Sequence, residues 1–320
     1  MLSVVVPTYN SRNTIKECLE HIRNSGYKEY EVIVVDCNSS DETRAIAGPY
    51  ADRVIKLINN AGRIAARQAG INAARGEIVV NVDSDVLIRP DTLFKINAYF
   101  DSHKEVDVVT GLLSKDCPDN RFFSQYKNLY MNYIFRRLPE RVTFIYGSIY
   151  AARKAVLVAF EPLVKIADDT ALGQQLVSCG KQIAFLPDLE VAHLKKYNIF
   201  SFILNDFRIP FDWAHIFIRY KGWKELLSKR VGYAHSPKRQ LASVILAQLI
   251  LAGIVLPPLS FLFFIWLILN LDFIIFLKRE KGVIFALASY VVTFFDHVVM
   301  GIGIICGFFS YFFFRREGRP

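Results

Sequence analysis

Apolar positions in the first hundred residues follow two alternating patterns. Leu2 to Pro7 (LSVVVP), Tyr30 to Asp36 (YEVIVVD), Arg53 to Ile58 (RVIKLI) and Glu77 to Asp83 (EIVVNVD) are short, nearly continuous β-branched runs. Such runs predict strands covered on both faces, as in a parallel sheet. Between them, Thr14 to Asn24 and Ile64 to Ala74 carry the apolar spacing of helices. Strands alternating with helices predict βαβ units and an α/β, doubly wound sheet. Ligands of such sheets bind beyond the carboxyl ends of the strands, so the residues just after each run are where chemistry is sought.

The pattern changes at Leu241. From there the chain reads LASVILAQLILAGIVLPPLSFLFFIWLILNLDFIIFL, then a charged KREK, then a second apolar run from Val283 to Phe314. A bilayer core takes about 20 apolar residues per helix, so both stretches predict transmembrane helices, two to four in number over 241–316. The first is expected to turn at Pro257-Pro258. The second carries Asp296 and His297 near its middle, expected either at a lipid phosphate or in a lumenal turn. Basic residues precede Leu241, fall at Lys278, Arg279 and Lys281, and recur at Arg315, Arg316 and Arg319. If all three groups are cytoplasmic the number of spans is even, and four short ones are favoured.

Composition sharpens this reading. Of the 320 residues 52% are hydrophobic, and the net charge is +9. Much of that charge lies in 216–240, where Arg219, Lys221, Lys224, Lys229, Arg230, Lys238 and Arg239 face Glu225. Beside a membrane segment such a patch is read as juxtamembrane and lipid-facing, not as a nucleic-acid surface. Trp213, Tyr220, Trp223 and Tyr233 are expected to form an interfacial aromatic belt there. Met1 is followed at once by a strand, with no basic leader or cleavage site, so the soluble part is expected on the cytoplasmic face of the cell membrane. Five cysteines without CxxC spacing argue against a disulfide framework or a zinc site.

At the strand ends stand Pro7-Thr8-Tyr9-Asn10, Asp36 with Cys37 to Asp41, and Asp83-Ser84-Asp85. Asp, Asn and Ser are also ordinary turn formers and helix caps. Three such clusters on one sheet edge point further. Asp83 and Asp85 are two apart on an extended chain and project the same way. Two carboxylates held together call for a cation, and Mg2+ or Mn2+ fits if phosphate oxygens complete the shell.

These segments, VVVPTYNSRNTIKECLEHI, VIVVDCNSSDET and NNAGRIAARQAGINAARGEIVVNVDSD, resemble the family 2 glycosyltransferases of the GT-A fold, a Rossmann-like sheet. The likeness runs through about residues 1–215. It implies that Pro7, Tyr9 and Asp36 line a nucleoside pocket, with Asp36 accepting from the base, and that Arg67 lies close to the donor. Asp83 would contact the ribose or the metal, and Asp85 would bind the metal bridging the diphosphate of a UDP- or GDP-sugar. Cys37 stands where an aspartate is common. Further on, IADDTALGQQLVSCGKQIAFLPDLEVAH resembles the family's E-D-x-x-L segment, which makes Asp169 the catalytic base and implies that the anomeric centre inverts. His193 would complete the metal site. Gly147, Ser148 and Asp168, with Arg208 in NDFRIPF, would serve the acceptor and its phosphate.

A phosphate acceptor is already anionic and needs no base, whereas a sugar hydroxyl does. Polyprenyl-phosphate mannose synthases read D-A-D-L-Q-H-P at the metal site, and this chain reads Asp83-Ser84-Asp85-Val86-Leu87-Ile88-Arg89-Pro90. With Asp169 present, the expectation is a hydroxyl of a lipid-linked glycan or glycolipid. A polyprenyl-phosphate glycosyl synthase is the alternative, and an inactive membrane scaffold a third reading.

Overall fold

The computed structural model describes residues 1–60, 62–157, 167–227, 233–253 and 261–314. The turn expected at Pro257-Pro258 and the basic residues Lys229, Arg230, Arg315, Arg316 and Arg319 lie outside the described residues. The elements run β1 (Leu2–Thr8), α1 (Ile15–Arg23), β2 (Tyr30–Asp36), α2 (Thr43–Ala47), β3 (Arg53–Lys56), α3 (Gly62–Ala73), β4 (Ile78–Val82), β5 (Val86–Leu87), α4 (Thr92–Ser102) and β6 (Val108–Leu113). There follow α5 (Phe122–Phe135), β7 (Arg141–Val142), β8 (Ile149–Arg153), α6 (Asp168–Ser178), β9 (Ile183–His193), α7 (Ile199–Arg219), α8 (Trp223–Leu227), α9 (Lys238–Ala252), α10 (Leu262–Lys281) and α11 (Val283–Phe314). Two compact units form. One comprises the described residues of 1–120, 139–163 and 168–196, the other those of 121–138, 164–167 and 197–320.

The first unit is a mixed α/β sheet in the order β3-β2-β1-β4-β8-β6-β9-β5, with β7 beside β9. β1 to β4 are parallel, as their unbroken Val and Ile runs predict. β8 breaks the pattern by running antiparallel between β4 and β6, while β6 and β9 are parallel. β1 and β2 are buried along their length, β1 fully. Ile15, Cys18, Leu19 and Ile22 of α1 seal one side at helical spacing. α3 lies close over the strands because it presents Gly70, where a β-carbon would come within 2.3 Å of Val5 Cγ1. Arg67, one turn earlier on that helix, is buried on the same face.

The second unit is helical. α7 opens on a reciprocal cap, Asn198 with Ser201, and carries Pro210 inside its 21 residues. α11 packs on it through glycines. A β-carbon on Gly303 would sit 2.4 Å from the Phe207 carbonyl oxygen, and one on Gly307 2.4 Å from that of Phe211. Such four-residue glycine spacing lets two helix backbones approach closely. α10 ends at Gly282, whose φ of 85° allows the abrupt reversal into α11.

Three expectations are corrected here. The second apolar stretch is one 32-residue helix, not a pair of short spans. Among the described residues it supplies the one helix long and apolar enough to cross a bilayer, Val283–Phe313. Asp296 and His297 lie inside that helix, 2% and 1% exposed, so they occupy neither a turn nor a lipid-facing position. Finally, Trp213 and Tyr233 are buried, not spread along an interfacial belt. Trp213 meets His235 edge-on at 4.7 Å, and Tyr233 meets Phe217 at 5.0 Å. Trp223 remains exposed.

Candidate functional site

The carboxyl ends of β1, β2 and β4 are stitched together by polar side chains. Pro7 lies in β1 past the point where its pairing with β4 stops, where a missing N–H costs nothing. Asn10, with a φ of 48°, accepts from the Ser40 amide at 3.0 Å, and its own amide donates to Ser39 Oγ at 2.9 Å. Ser39 donates in turn to Asp36 Oδ1. Asp36 is fully buried and also accepts from the Ser39 amide, with Arg44 Nε 3.3 Å from its Oδ2. Its carboxylate therefore already braces the turn. Tyr9 stands out from this edge, 48% exposed.

Arg67 is the hub. Its Nε donates to Asn81 Oδ1 at 3.1 Å and its Nη1 to Asp168 Oδ2 at 2.8 Å. Its Nη2 donates to Asp83 Oδ1 at 3.0 Å and to the Gly147 carbonyl at 3.1 Å. Burial opposes the positive charge, but Asp168 and Asp83 outweigh it, so Arg67 holds its proton more firmly than an ordinary arginine. Arg63, one turn earlier on α3, reaches the other oxygen of Asp168, with Nε at 2.8 Å. Asp168 is 2% exposed and is thus clamped by two guanidinium groups.

Asp169 follows in the first turn of α6. Its Oδ2 accepts from the Gly147 amide at 2.9 Å and its Oδ1 from the Thr170 amide at 2.7 Å. Burial first, and then the neighbouring Asp168, raise its pKa above the ordinary carboxylate value, against the pull of Arg63 and Arg67. Gly147 is required at this spot. A β-carbon there would meet Asp169 Oδ2 at 2.7 Å and Arg67 Nη2 at 3.1 Å. Ser148 is 8% exposed, and its carbonyl accepts from the Asp83 amide at 3.2 Å, tying the end of β4 to β8.

Asp85 and His193 meet on the far side of the same strand end, where β5 pairs with the end of β9 and Val86 lies opposite His193. His193 Nε2 is 3.3 Å from Asp85 Oδ1. Burial alone would raise the pKa of Asp85, but His193 and then Lys195 bring it down to about 2. A cleft of about 620 Å³ opens here, lined by Asn10, Ser11, Ser84, Asp85, Lys195 and Lys196 among others. Among the described residues no three His, Cys, Asp or Glu side chains converge as a ready-made metal cage. An ionised carboxylate on this cleft, with the His193 imidazole 3.3 Å behind it, nonetheless fits a divalent ion that takes its other oxygens from phosphate and water.

The structure thus brings Arg67, Asp83, Gly147, Ser148, Asp168 and Asp169 into one network and sets Asp85 with His193. Arg208 is exposed on α7 of the helical unit. Two members of the network were not singled out from the sequence, Arg63 and Asn81. Their signals were present: Arg63 precedes Arg67 by four residues on one helix, and Asn81 is a polar residue in a buried strand, two before Asp83.

The model of glycosyl transferase family 2 matches residues 3–159, from β1 through the end of β8. Glycosyltransferase GlyA of Streptococcus pneumoniae serotype 4 is 26% identical over 254 residues, 72% of this chain and 35% of that protein. Glycosyltransferase GlyG of the same organism is 33% identical over 129 residues, 38% of this chain and 42% of its own. The chain therefore spans well under two thirds of these curated relatives. In fold it is similar to the mannosyltransferase PcManGT of Pyrobaculum calidifontis, solved with GDP-Man and Mn2+, with a TM-score of 0.60 at 19% identity. That likeness covers 98% of this chain and 88% of the other. The sheet, the residues gathered at its carboxyl edge and the matched segment agree: residues 3–159 carry a glycosyl transferase family 2 domain.

Proposed function

We propose that the protein transfers a sugar from a UDP- or GDP-sugar to a hydroxyl of a membrane-associated acceptor, such as a lipid-linked glycan or glycolipid. The observation that carries this reading is Asp169. It is half-buried, fixed through both oxygens by backbone amides, and holds a proton more readily than an ordinary carboxylate. A group so placed suits general-base work, because its pKa is drawn toward the working pH. Asp169 takes the proton of the acceptor hydroxyl while that oxygen attacks the anomeric carbon. The bond from that carbon to the diphosphate breaks, the electron pair leaves with the diphosphate, and the anomeric centre inverts.

Asp85 and His193, with Asp83 nearby, would hold Mn2+ or Mg2+. A bound divalent ion supplies Lewis-acid stabilisation of the negative charge on a leaving diphosphate. Pro7, Tyr9 and Asp36 form the nucleoside side of the site. Asp36 does so as the brace of its turn, since its oxygens are already engaged. Arg67 and Arg63 hold Asp168 in place and set the charge around Asp169. Gly147, Ser148 and Asp168 shape the acceptor side, and Arg208 is assigned to an acceptor phosphate.

The C-terminal helices anchor the protein in the cell membrane as a multi-pass segment, with the sheet unit on the cytoplasmic side, where nucleotide-sugars are available. The apolar surface of α11, with Ile284, Leu287, Val291 and Phe295 exposed, supports the anchor. Calorimetric titration of the detergent-purified chain with UDP and GDP tests the donor side. One nucleotide should bind more tightly with Mn2+ present, and Asp85→Asn should remove the metal's contribution. Equal binding with and without metal would defeat the assignment.

A further inference from the structure

One wall of the cleft beside Asp85 has no assigned role. β9 stays tied to β5 as far as Leu194, whose amide donates to the Asp85 carbonyl at 2.8 Å. Lys195 and Lys196 follow at once, on the short non-helical segment that leaves the sheet. Their backbone is thus fixed to the strand end that sets His193 Nε2 3.3 Å from Asp85 Oδ1. Both lysines are exposed, and both border the cleft of about 620 Å³ that Asp85 lines. Another part of its wall is fixed too. Ser11, past β1, and Ser84, past β4, share a hydrogen bond between their hydroxyls at 2.9 Å, and both face the cleft. A space of this size lies within the range of small-molecule sites.

Charge decides what such a cleft accepts. Its lining carries three carboxylates, Glu17, Asp85 and Asp119, and two ammonium groups, Lys195 and Lys196. With a divalent ion on Asp85 the balance becomes one net positive charge. Without the lysines, the same cleft with the same ion stays negative and repels an anion. The diphosphate of a nucleotide-sugar carries two negative charges, and a third appears on it as the bond to the sugar breaks. Ammonium groups in the same cleft offset that charge through charge-assisted hydrogen bonds to phosphate oxygens.

We propose that Lys195 and Lys196 bind the diphosphate of the donor and take up the charge it gains on leaving. The assignment rests on the nucleotide-sugar and metal reading given above and adds the residues that grip the leaving group. The bond from the anomeric carbon to the diphosphate oxygen breaks, and its electron pair stays on that oxygen. The two ammonium groups neutralise it without giving up a proton. Their grip is tighter on the free nucleoside diphosphate than on the intact donor, because the product bears the extra charge.

The test is calorimetric titration of the full chain in detergent micelles with Mn2+ present, using UDP and GDP and then the sugar form of whichever binds. Lys195→Gln/Lys196→Gln should bind the nucleoside diphosphate about 10-fold more weakly or worse, and lose less affinity for the nucleotide-sugar. Its binding should also respond less steeply to salt. Lys195→Arg/Lys196→Arg should restore most of the affinity. Both side chains are exposed, so Tm should stay unchanged in either variant. Equal nucleoside-diphosphate affinity in the double Gln variant and the unsubstituted chain would overturn the proposal and leave the donor reading standing. A raised KM for lipid extract, with nucleoside-diphosphate affinity unchanged, would overturn it by placing the lysines on an acceptor phosphate. No binding of either nucleotide by the unsubstituted chain would sink the donor reading, and this proposal with it.

Discussion

Gly147→Ala probes the core of the site with one added methyl group. Its β-carbon would lie 2.7 Å from Asp169 Oδ2 and 3.1 Å from Arg67 Nη2. To regain an ordinary 3.4 Å contact, Asp169 must retreat by about 0.7 Å, which strains or breaks its 2.9 Å bond from the Gly147 amide. Overpacking of this kind costs about 1–3 kcal/mol. In a domain of this size that lowers Tm by roughly 2–10 °C. Displacing a reacting group by 1 Å costs about 100-fold in rate, so kcat should fall roughly 10- to 100-fold. Gly76→Ala is the control. Its β-carbon would come within 2.7 Å of the Met1 carbonyl oxygen and 2.8 Å of the Ser3 amide, with nothing of the site nearby. It should lower Tm while leaving kcat per folded molecule unchanged. Thermal unfolding with nucleoside-diphosphate release, read on both variants, decides the matter. If Gly147→Ala keeps full kcat, or loses no more than Gly76→Ala, the placement of Asp169 by Gly147 is wrong.

Asp168→Asn should destabilise the sheet unit by about 3 kcal/mol, since it removes the anion from a buried pair and leaves two arginines facing an amide. The same change takes away a negative charge that raises the pKa of Asp169, so the acid limb of the kcat/KM profile should move to lower pH. In the unsubstituted protein that limb should lie above the range of an ordinary carboxylate, because Asp169 must be ionised to act and its pKa is raised. A raised carboxyl pKa stabilises the fold only at low pH and is a cost once the group ionises. Asp169→Asn should abolish transfer at every pH, and since its single oxygen can serve only one of the Gly147 and Thr170 amides, it should not share the benefit that removing the charge alone would bring at neutral pH. Gly70→Ala, whose β-carbon would meet Val5 Cγ1 at 2.3 Å, should push α3 off β1 and cost about 1–3 kcal/mol by thermal unfolding.

What the sequence made legible follows what is local. β1, β2 and β4 and the helices α1 and α3 declare themselves because a strand buried on both faces needs an unbroken apolar run and a covering helix needs its period. The strand-end residues follow from the topology of such sheets. The direction of β8 was not legible, since an alternating or apolar run does not state which way its neighbour runs. Nor was the clamp on Asp168, whose two arginines lie about a hundred residues earlier in the chain. Asp296 posed the same problem. A polar pair within an apolar stretch fits a turn as well as a buried position inside a long helix. α5 declares no allegiance to the C-terminal helices by composition alone, yet folds with them in one unit.

The most direct test is nucleoside-diphosphate release by the detergent-purified chain, across UDP- and GDP-sugars, with Mn2+ or Mg2+ and membrane lipid extract as acceptor. Release should require metal, depend on the lipid extract, and vanish in both Asp85→Asn and Asp169→Asn. Release that survives Asp169→Asn would mean an acceptor already anionic, a lipid phosphate, and would contradict the hydroxyl assignment. No release from any donor by a folded protein would contradict the transferase itself.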